Sequence, residues 1–338
     1  MELRPLGRTG VQVSKLCLGT MMFGDWGTKD HDESIRIIHR ALDAGINFVD
    51  SADVYSQGES EVIVGKALKG RRDDVVLATK FFMPFDDDPN HRGGSRRWIL
   101  TAVENSLRRL GTDYIDLYQM HRYDPAVDLD DTLGALTDLV RAGKVRYIGH
   151  TTFPASALVD AQYVARDRGR ERFVTEQPTY SMLTRNIENE ILPLTQRYGM
   201  GVLPYSPLSG GWLSGRYRKD PQAAPASGAR PSARFDLSTV GNQRKLDAAD
   251  ELAKLAEEAG LTLIQLAIAF VLRHPAITSP IIGPRTMEHL ESQLAGADVV
   301  LADDVLDRID EIVPPGVTLN PVDNGWVNPW LHPALRRR

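Results

Sequence analysis

Three apolar runs in this chain end abruptly in residues that can ionise. NFVDSADVY presents Asp50 and then Tyr55, VVLATK presents Lys80, and IDLYQMH presents His121. A carboxylate would hold the lysine ammonium charged, and the ammonium would lower the pKa of a neighbouring phenol. An imidazole could then hydrogen-bond a substrate oxygen or help move its proton. The chemistry such a group suggests is protonation of an oxygen that is gaining negative charge, with a tuned tyrosine as the acid. Taken singly, each residue also has a structural reading: Asp50 and Lys80 as an ion pair, Tyr55 and His121 as polar caps on the rim of a sheet. Four of them at the ends of consecutive apolar runs favour chemistry, because a buried charge without a partner is costly. A glycine-rich stretch, PLSGGWLSG, contains Gly210, Gly211 and Gly215 and also follows an apolar run. Its spacing is not the GxGxxG of a Rossmann turn, so it reads either as a tight turn or as an anion cradle.

The elements that must position these residues follow a regular alternation. ELRPLGRTGVQVS suggests a hairpin around Gly7 to Gly10. Leu16 to Gly19 reads as a first strand, followed by an amphipathic helix that starts near Asp30, carries Glu33, Ile35, Ile38 and Leu42, and stops at Gly45. Asn47 to Asp50, Val75 to Lys80, and residues 114–120, 145–149, 172–176, 200–204 and 277–282 read as further strands. Between and after them lie helical patterns at Glu59 to Leu68, Arg97 to Leu110, 131–142, 155–168, 187–198, 246–272 and 286–295. Crossover helices force parallel strands, and eight such units are the number that closes a (β/α)8 barrel. The expected fold is therefore a single α/β barrel domain over residues 1–338, with an N-terminal hairpin and extra C-terminal helices or tail; a doubly wound open sheet is the rival. In a barrel the C-terminal strand ends form the functional rim, and that is where Asp50, Tyr55, Lys80 and His121 fall. Lys219 to Gly241, rich in Pro, Ala, Ser and Arg, reads as a long loop after the seventh strand.

Composition narrows the function classes. The chain has 338 residues, 42% hydrophobic and 25% charged, with a formal charge of −5 dispersed along its length, which gives no footprint for nucleic acid or an anionic membrane. The single Cys17 excludes an intrachain disulfide and a multi-cysteine zinc site, and no long apolar run suggests a secretory leader or membrane span. A cytosolic protein with a small-molecule substrate is expected. Asp86, Asp87 and Asp88 read as a solvated acidic loop, and Trp26, Phe82, Trp212, Trp326 and Trp330 as pocket walls or ordinary packing.

On these segments the chain resembles the aldo-keto reductase family, from the hairpin to the last helix. FVDSADVYSQGESEVIVGKAL is similar to the family's aspartate and tyrosine segment, ATK to its lysine strand, and DYIDLYQMHR to its histidine strand. The resemblance implies a tetrad of Asp50, Tyr55, Lys80 and His121 that reduces an aldehyde or ketone with NADP(H). Tyr55 would be the general acid, and no metal would be needed. TEQPTY implies that Gln177 holds the nicotinamide carboxamide. VLPYSPLSGGWLSGRY implies a stacking aromatic, Tyr205, followed by Ser206, Leu208, Gly210 and Leu213 around the pyrophosphate. PIIGPRTMEHLESQL implies that Arg285 takes the 2′-phosphate, with Thr286, His289 and Gln293 nearby, and so favours NADPH over NADH. The resemblance departs at YIGHTTF, where Thr151 and Thr152 stand in place of the serine and asparagine of many members. Thr151 keeps a hydroxyl for the carboxamide, Thr152 does not offer an amide, and His150 is a third candidate on the same rim. Two rivals to a reductase are a cofactor-sensing subunit resembling potassium-channel β subunits, and a lyase or aldolase using Lys80 as a Schiff base.

Overall fold

The computed structural model describes residues 1–219 and 235–326. Strands β1 (Leu3–Pro5) and β2 (Gln12–Ser14) form the antiparallel hairpin. The barrel strands are β3 (Cys17–Gly19), β4 (Phe48–Asp50), β5 (Val76–Phe81), β6 (Ile115–Met120), β7 (Val145–Thr151), β8 (Thr175–Gln177), β9 (Gly201–Val202) and β10 (Ile281–Ile282). They form one eight-stranded parallel sheet in the order β10-β3-β4-β5-β6-β7-β8-β9. The two ends meet where Tyr205 bridges Ile281 and the Ile281 N–H donates to Pro204 O at 2.8 Å, which closes the ring. Helices α1 (His31–Asp43), α2 (Glu59–Ala67), α3 (Arg96–Leu110), α4 (Leu129–Arg141), α5 (Ala155–Arg168) and α6 (Ile191–Tyr198) follow successive strands from β3 to β8. After β9 come α7 (Val240–Glu258) and α8 (Leu263–Arg273), and after β10 come α9 (Met287–Leu294) and α10 (Asp303–Ile312).

Local chemistry sets these boundaries. The Asp30 carboxylate caps α1 by accepting from the Asp32 and Glu33 N–H groups, and Ser95 caps α3, which ends at the left-handed Gly111. The strands bury both faces, and alternation divides the core in two. Cys17, Phe48, Ala78, Leu117, Leu203 and Ile281 point into the barrel, with Leu6 and Val13 of the hairpin beneath them. Val49, Leu77, Tyr118, Ile148 and Val202 point outward onto the helices. The hairpin closes the N-terminal end tightly. A Cβ on Gly7 would lie 2.8 Å from Gly201 N, and its φ of 58° also favours glycine.

Several boundaries correct the sequence expectations. The helical pattern at 246–272 is two helices, α7 and α8, bent by 93°. The break falls at left-handed Gly260 and at Thr262, which starts α8 with a capping box to Gln265. Helix α7 begins at Val240, so the end of the expected loop is helical, while residues 220–234 of that loop lie outside the described residues, as does Trp330. The pattern at 187–198 becomes a single turn at Asn186–Glu188 and then α6. The sixth strand shifts to Thr175–Gln177, and the seventh and eighth shorten to two residues each. No single described helix is long and apolar enough to cross a membrane.

Candidate active site

The inward-facing alternation continues upward from the apolar core and ends in polar residues. Above Phe48 comes Asp50, above Ala78 comes Lys80, above Leu117 comes Gln119, and Gln177 ends β8. Barrel interiors stack side chains from alternate strands in layers. Asp50, Gln119 and Gln177, from β4, β6 and β8, make one such layer. The Gln119 and Gln177 amides each donate to Asp50 Oδ1 at 3.0 Å, and Gln177 Nε2 also lies 3.2 Å from Gln119 Oε1. The other Asp50 oxygen takes the Lys80 ammonium at 2.5 Å, which also donates to Ser51 O at 2.7 Å. All four side chains are buried.

The third Lys80 donor reaches Tyr55 Oη at 3.3 Å. Tyr55 begins a one-turn 3-10 segment, Tyr55–Gly58, in which Ser56 and Gln57 take left-handed backbone angles. That turn brings the half-buried phenol back over the barrel. The His121 ring stands edge-on to Tyr55 with centroids 6.1 Å apart, and the His121 N–H donates to Phe81 O at 2.9 Å, extending the β5–β6 pairing. The structure therefore brings Asp50, Tyr55, Lys80 and His121 together at one rim.

The electrostatics differ in one respect from the sequence expectation. Burial pushes the Tyr55 phenol up, Lys80 pulls it down and Asp50 pushes it up again, leaving it above its usual 10. The ammonium thus limits the rise without producing a net fall. Burial alone would lower the Lys80 ammonium, but Asp50 and Tyr55 more than offset this and hold it above its usual value. Burial, with help from Lys80 and Arg122, pulls His121 well below 6.5, so its imidazole is neutral, and its Nδ1 is buried without a hydrogen-bond partner.

Thr151 ends β7 with its hydroxyl already engaged. It donates to His121 O at 2.6 Å and accepts from Arg122 Nη1 at 2.9 Å, so the hydrogen expected to be free for a carboxamide is committed. Thr152 has a left-handed φ of 54° and its N–H donates to Gln177 O. His150 is not on the rim. Its position in β7 has the parity of Ile148, so it points onto the helix layer, fully buried, hydrogen-bonded through Nδ1 to Glu176 and stacked on Phe153.

Beyond β9, half-buried Tyr205 precedes an unusual backbone. Ser206, Ser209, Gly210, Gly211 and Gly215 all have positive φ, and a Cβ on Gly211 or Gly215 would meet nothing within 4 Å. Turns of this kind expose concave sets of N–H groups to a ligand. The Leu208 side chain is half-buried, and that of Leu213 lies in the core beside Trp212. Thr286 caps α9 by accepting from the His289 N–H at 3.2 Å, with Arg285 half-buried just before it and Gln293 buried on the same helix. Burial pulls the His289 pKa down, and the charges of Arg216 and Arg285 pull it further. Neither arginine has a carboxylate within 4.0 Å among the described residues.

Sequence reasoning missed Gln119, Arg122 and Arg216. Strand parity alone would have placed Gln119 beside Asp50. Trp26, 46% exposed, stands 6.0 Å from the Tyr55 ring at the mouth, whereas Trp212 is core, packed on Tyr217 and Phe235. The acidic loop is exposed, with Asp86 paired to His91. A shallow cavity of about 530 Å³ lined by Arg4, Arg8, Gly199 and His274 opens at the opposite, N-terminal end of the barrel, away from these groups.

Comparison with known proteins agrees with this geometry. A sequence profile of the aldo/keto reductase family matches residues 15–314. The chain is 42% identical over 325 residues to the uncharacterized oxidoreductase YrpG of Bacillus subtilis, covering 93% of this chain and 96% of the relative. It is 35% identical to a putative voltage-gated potassium channel subunit beta of Schizosaccharomyces pombe, covering 93% of each. It is 33% identical to the versiconal hemiacetal acetate reductase of Aspergillus parasiticus, covering 92% of this chain and 96% of the relative. A barrel whose rim joins Asp50, Tyr55, Lys80 and His121, matched over most of its length, belongs to the aldo/keto reductase family.

Proposed function

We propose that this chain reduces an aldehyde or ketone to an alcohol with NADPH, as one barrel domain, with Tyr55 as general acid. The observation that carries the proposal is the Lys80 ammonium shared between Asp50 at 2.5 Å and Tyr55 at 3.3 Å on the barrel rim. A buried lysine so placed sits where charge develops on a tyrosine that gives up its proton.

The residues present fit the cofactor. The positive-φ residues Ser206, Ser209, Gly210, Gly211 and Gly215 shape a turn that offers a cradle for a pyrophosphate, and Arg216 and Arg285 beside α9 offer two charges to a 2′-phosphate. Gln177 spends its amide N–H groups on Asp50 and Gln119, which leaves its carbonyl oxygen for a carboxamide N–H, and Tyr205 offers a ring face. NADPH, when bound, supplies the hydride to the carbonyl carbon. Tyr55 gives its proton to the carbonyl oxygen as that oxygen becomes an alkoxide. Lys80 stabilises the phenolate left behind, and Asp50 keeps Lys80 charged and fixed. Neutral His121 holds the substrate oxygen without competing as an acid.

Titration with NADPH and NADH by quenching of tryptophan fluorescence, followed by a panel of aldehydes and ketones, tests the reading. Tight NADPH binding with substrate-dependent oxidation is expected. Tyr55→Phe should lower kcat by about 10²- to 10⁴-fold with NADPH affinity nearly unchanged, because only the proton donor is lost. Near-normal turnover by that variant would sink the acid assignment. Arg285→Ala should weaken NADPH more than NADH, and equal losses would move the phosphate site elsewhere. The potassium-channel β relatives favour a second reading, a cofactor-sensing subunit. Tight NADPH binding with no turnover of any carbonyl would support it.

A further inference from the structure

We propose that Arg122 is an anion subsite within the carbonyl pocket, so that the preferred substrates are aldehydes or ketones carrying a carboxylate or phosphate. This rests on the reductase reading. Arg122 follows His121 directly and is held from two strand ends: its Nη1 donates to His121 O at 2.5 Å, after β6, and to Thr151 Oγ1 at 2.9 Å, at the end of β7. These bonds fix one edge of the guanidinium. The other N–H donors of the group make no hydrogen bond among the described residues, and no described carboxylate lies within 4.0 Å of it. The side chain is half-buried, so the charge is partly withdrawn from water without a counter-ion. An anion seated against its free N–H groups would give this charge the partner that the described residues do not supply. Its charge is felt by both Tyr55 and His121, which places it on the same mouth as the reacting groups.

The cofactor's own phosphates do not account for it. Arg216 and Arg285 flank α9, after β10. In the strand order, β6 and β10 are four positions apart in an eight-stranded ring, which puts Arg122 on the side of the mouth opposite to that cluster. The cation left over on the tetrad side faces the substrate. Arginine suits carboxylate and phosphate alike, through paired hydrogen bonds. The anion is a spectator in the reaction: the hydride goes to the carbonyl carbon, the Tyr55 proton to its oxygen, and the charged group leaves unchanged in the alcohol.

The test uses matched probes with NADPH: 4-carboxybenzaldehyde against benzaldehyde, and glyceraldehyde 3-phosphate against glyceraldehyde. The readout is the ratio of kcat/KM between the anionic and neutral member of each pair. The wild-type ratio should exceed one in at least one pair, and the pair with the larger ratio identifies carboxylate or phosphate as the preferred group. Arg122→Met should lower that ratio by about 10- to 100-fold, the worth of a charge-assisted contact, and Arg122→Lys should restore part of it. A wild type without preference, or equal losses on both members of each pair, would overturn the subsite. A fall in NADPH affinity alone would assign Arg122 to the cofactor and overturn it too. If Arg122→Met fails to fold, the wild-type ratios and Arg122→Lys still decide the question. Turnover of neutral aldehydes without an anionic preference would defeat this inference alone, whereas no turnover of any aldehyde would defeat the reductase reading beneath it.

Discussion

The Tyr55 phenol and the His121 imidazole lie within one buried electrostatic field and are displaced in opposite directions. Burial, only partly countered by Lys80, holds Tyr55 above 10, and burial holds His121 well below 6.5. The proposed reduction needs Tyr55 protonated, and its raised pKa keeps it so throughout the neutral range. His121 stays neutral until the pH falls well under its ordinary midpoint. The rate of carbonyl reduction is therefore expected to be flat from about pH 6.5 to 9 and to fall only on the alkaline side as the phenol ionises. A histidine-like inflection near 6.5 in kcat against pH would contradict the assignment of a neutral His121. Gln119 adds a second residue-level expectation. Its amide and that of Gln177 are the two donors on Asp50 Oδ1, so Gln119→Leu leaves a buried carboxylate oxygen with one donor instead of two. Loss of a hydrogen bond to a charged group costs about 1.5–3 kcal/mol, and kcat should fall by roughly tenfold or more while the NADPH Kd moves less. Equal changes in kcat and in cofactor affinity would mean that Gln119 merely supports the fold.

At the scale of elements, the segment after β9 owes its shape to positive backbone angles at Ser206, Ser209, Gly210, Gly211 and Gly215, and the cofactor cradle proposed there depends on them. Gly211 has a φ of 112° and open space where a Cβ would stand, so Gly211→Ala meets no clash and is penalised by conformation alone. The strain is of the order of 1 kcal/mol or more, and relief by turning the peptide would reshape the cradle. The NADPH Kd measured by fluorescence should rise by about tenfold; an unchanged Kd would separate this loop from the cofactor. The sequence made this segment visible as glycines but could not say whether they served a turn or an anion, because a left-handed angle leaves no mark beyond composition. Strand ends were more legible. Asp50, Lys80 and His121 interrupt apolar runs, and the alternation that carries Phe48 to Asp50 and Ala78 to Lys80 into the barrel is written in the chain. The same parity would have removed His150 from the rim and added Gln119 to it. The 246–272 pattern concealed its break because apolar residues continue across Gly260 at helical spacing, and only the Thr262–Gln265 capping box marks the new start. Arg122 and Arg216 were illegible, since a surface arginine and an unpaired one at a mouth look alike until the carboxylates around them are located.

At the scale of the whole molecule, a second buried acid cluster beneath the Tyr55 turn links protonation to stability. Glu61 is fully buried but satisfied, accepting from Thr79 Oγ1 at 2.6 Å and paired to Arg109 at 2.7 Å. Asp53 is 1% exposed, and no side chain donates a hydrogen bond to its carboxyl group, whose only nearby donor is the Val54 backbone; the nearby Tyr118 hydroxyl has no partner among the described residues. Burial and the neighbouring Glu61 charge raise Asp53 from 3.8 to about 8, with Arg109 only partly opposing them. Here the sign is that of a raised folded-state pKa. Between about 4 and about 8 the native chain keeps a proton that the unfolded chain has released, so unfolding gives up a proton and becomes easier as pH rises. The slope for one group is about 1.4 kcal/mol per pH unit, the stabilising contribution being whole below 4 and exhausted above 8. Asn fills the same space without titrating. Asp53→Asn should therefore gain stability relative to the wild type as pH is raised from 5 to 8, with the two curves of Tm against pH diverging steadily across that window and running parallel above it. Parallel curves throughout would show that Asp53 is ionised in the native state. A diverging pair would establish that a proton stored under the Tyr55 turn belongs to the folded molecule at neutral pH.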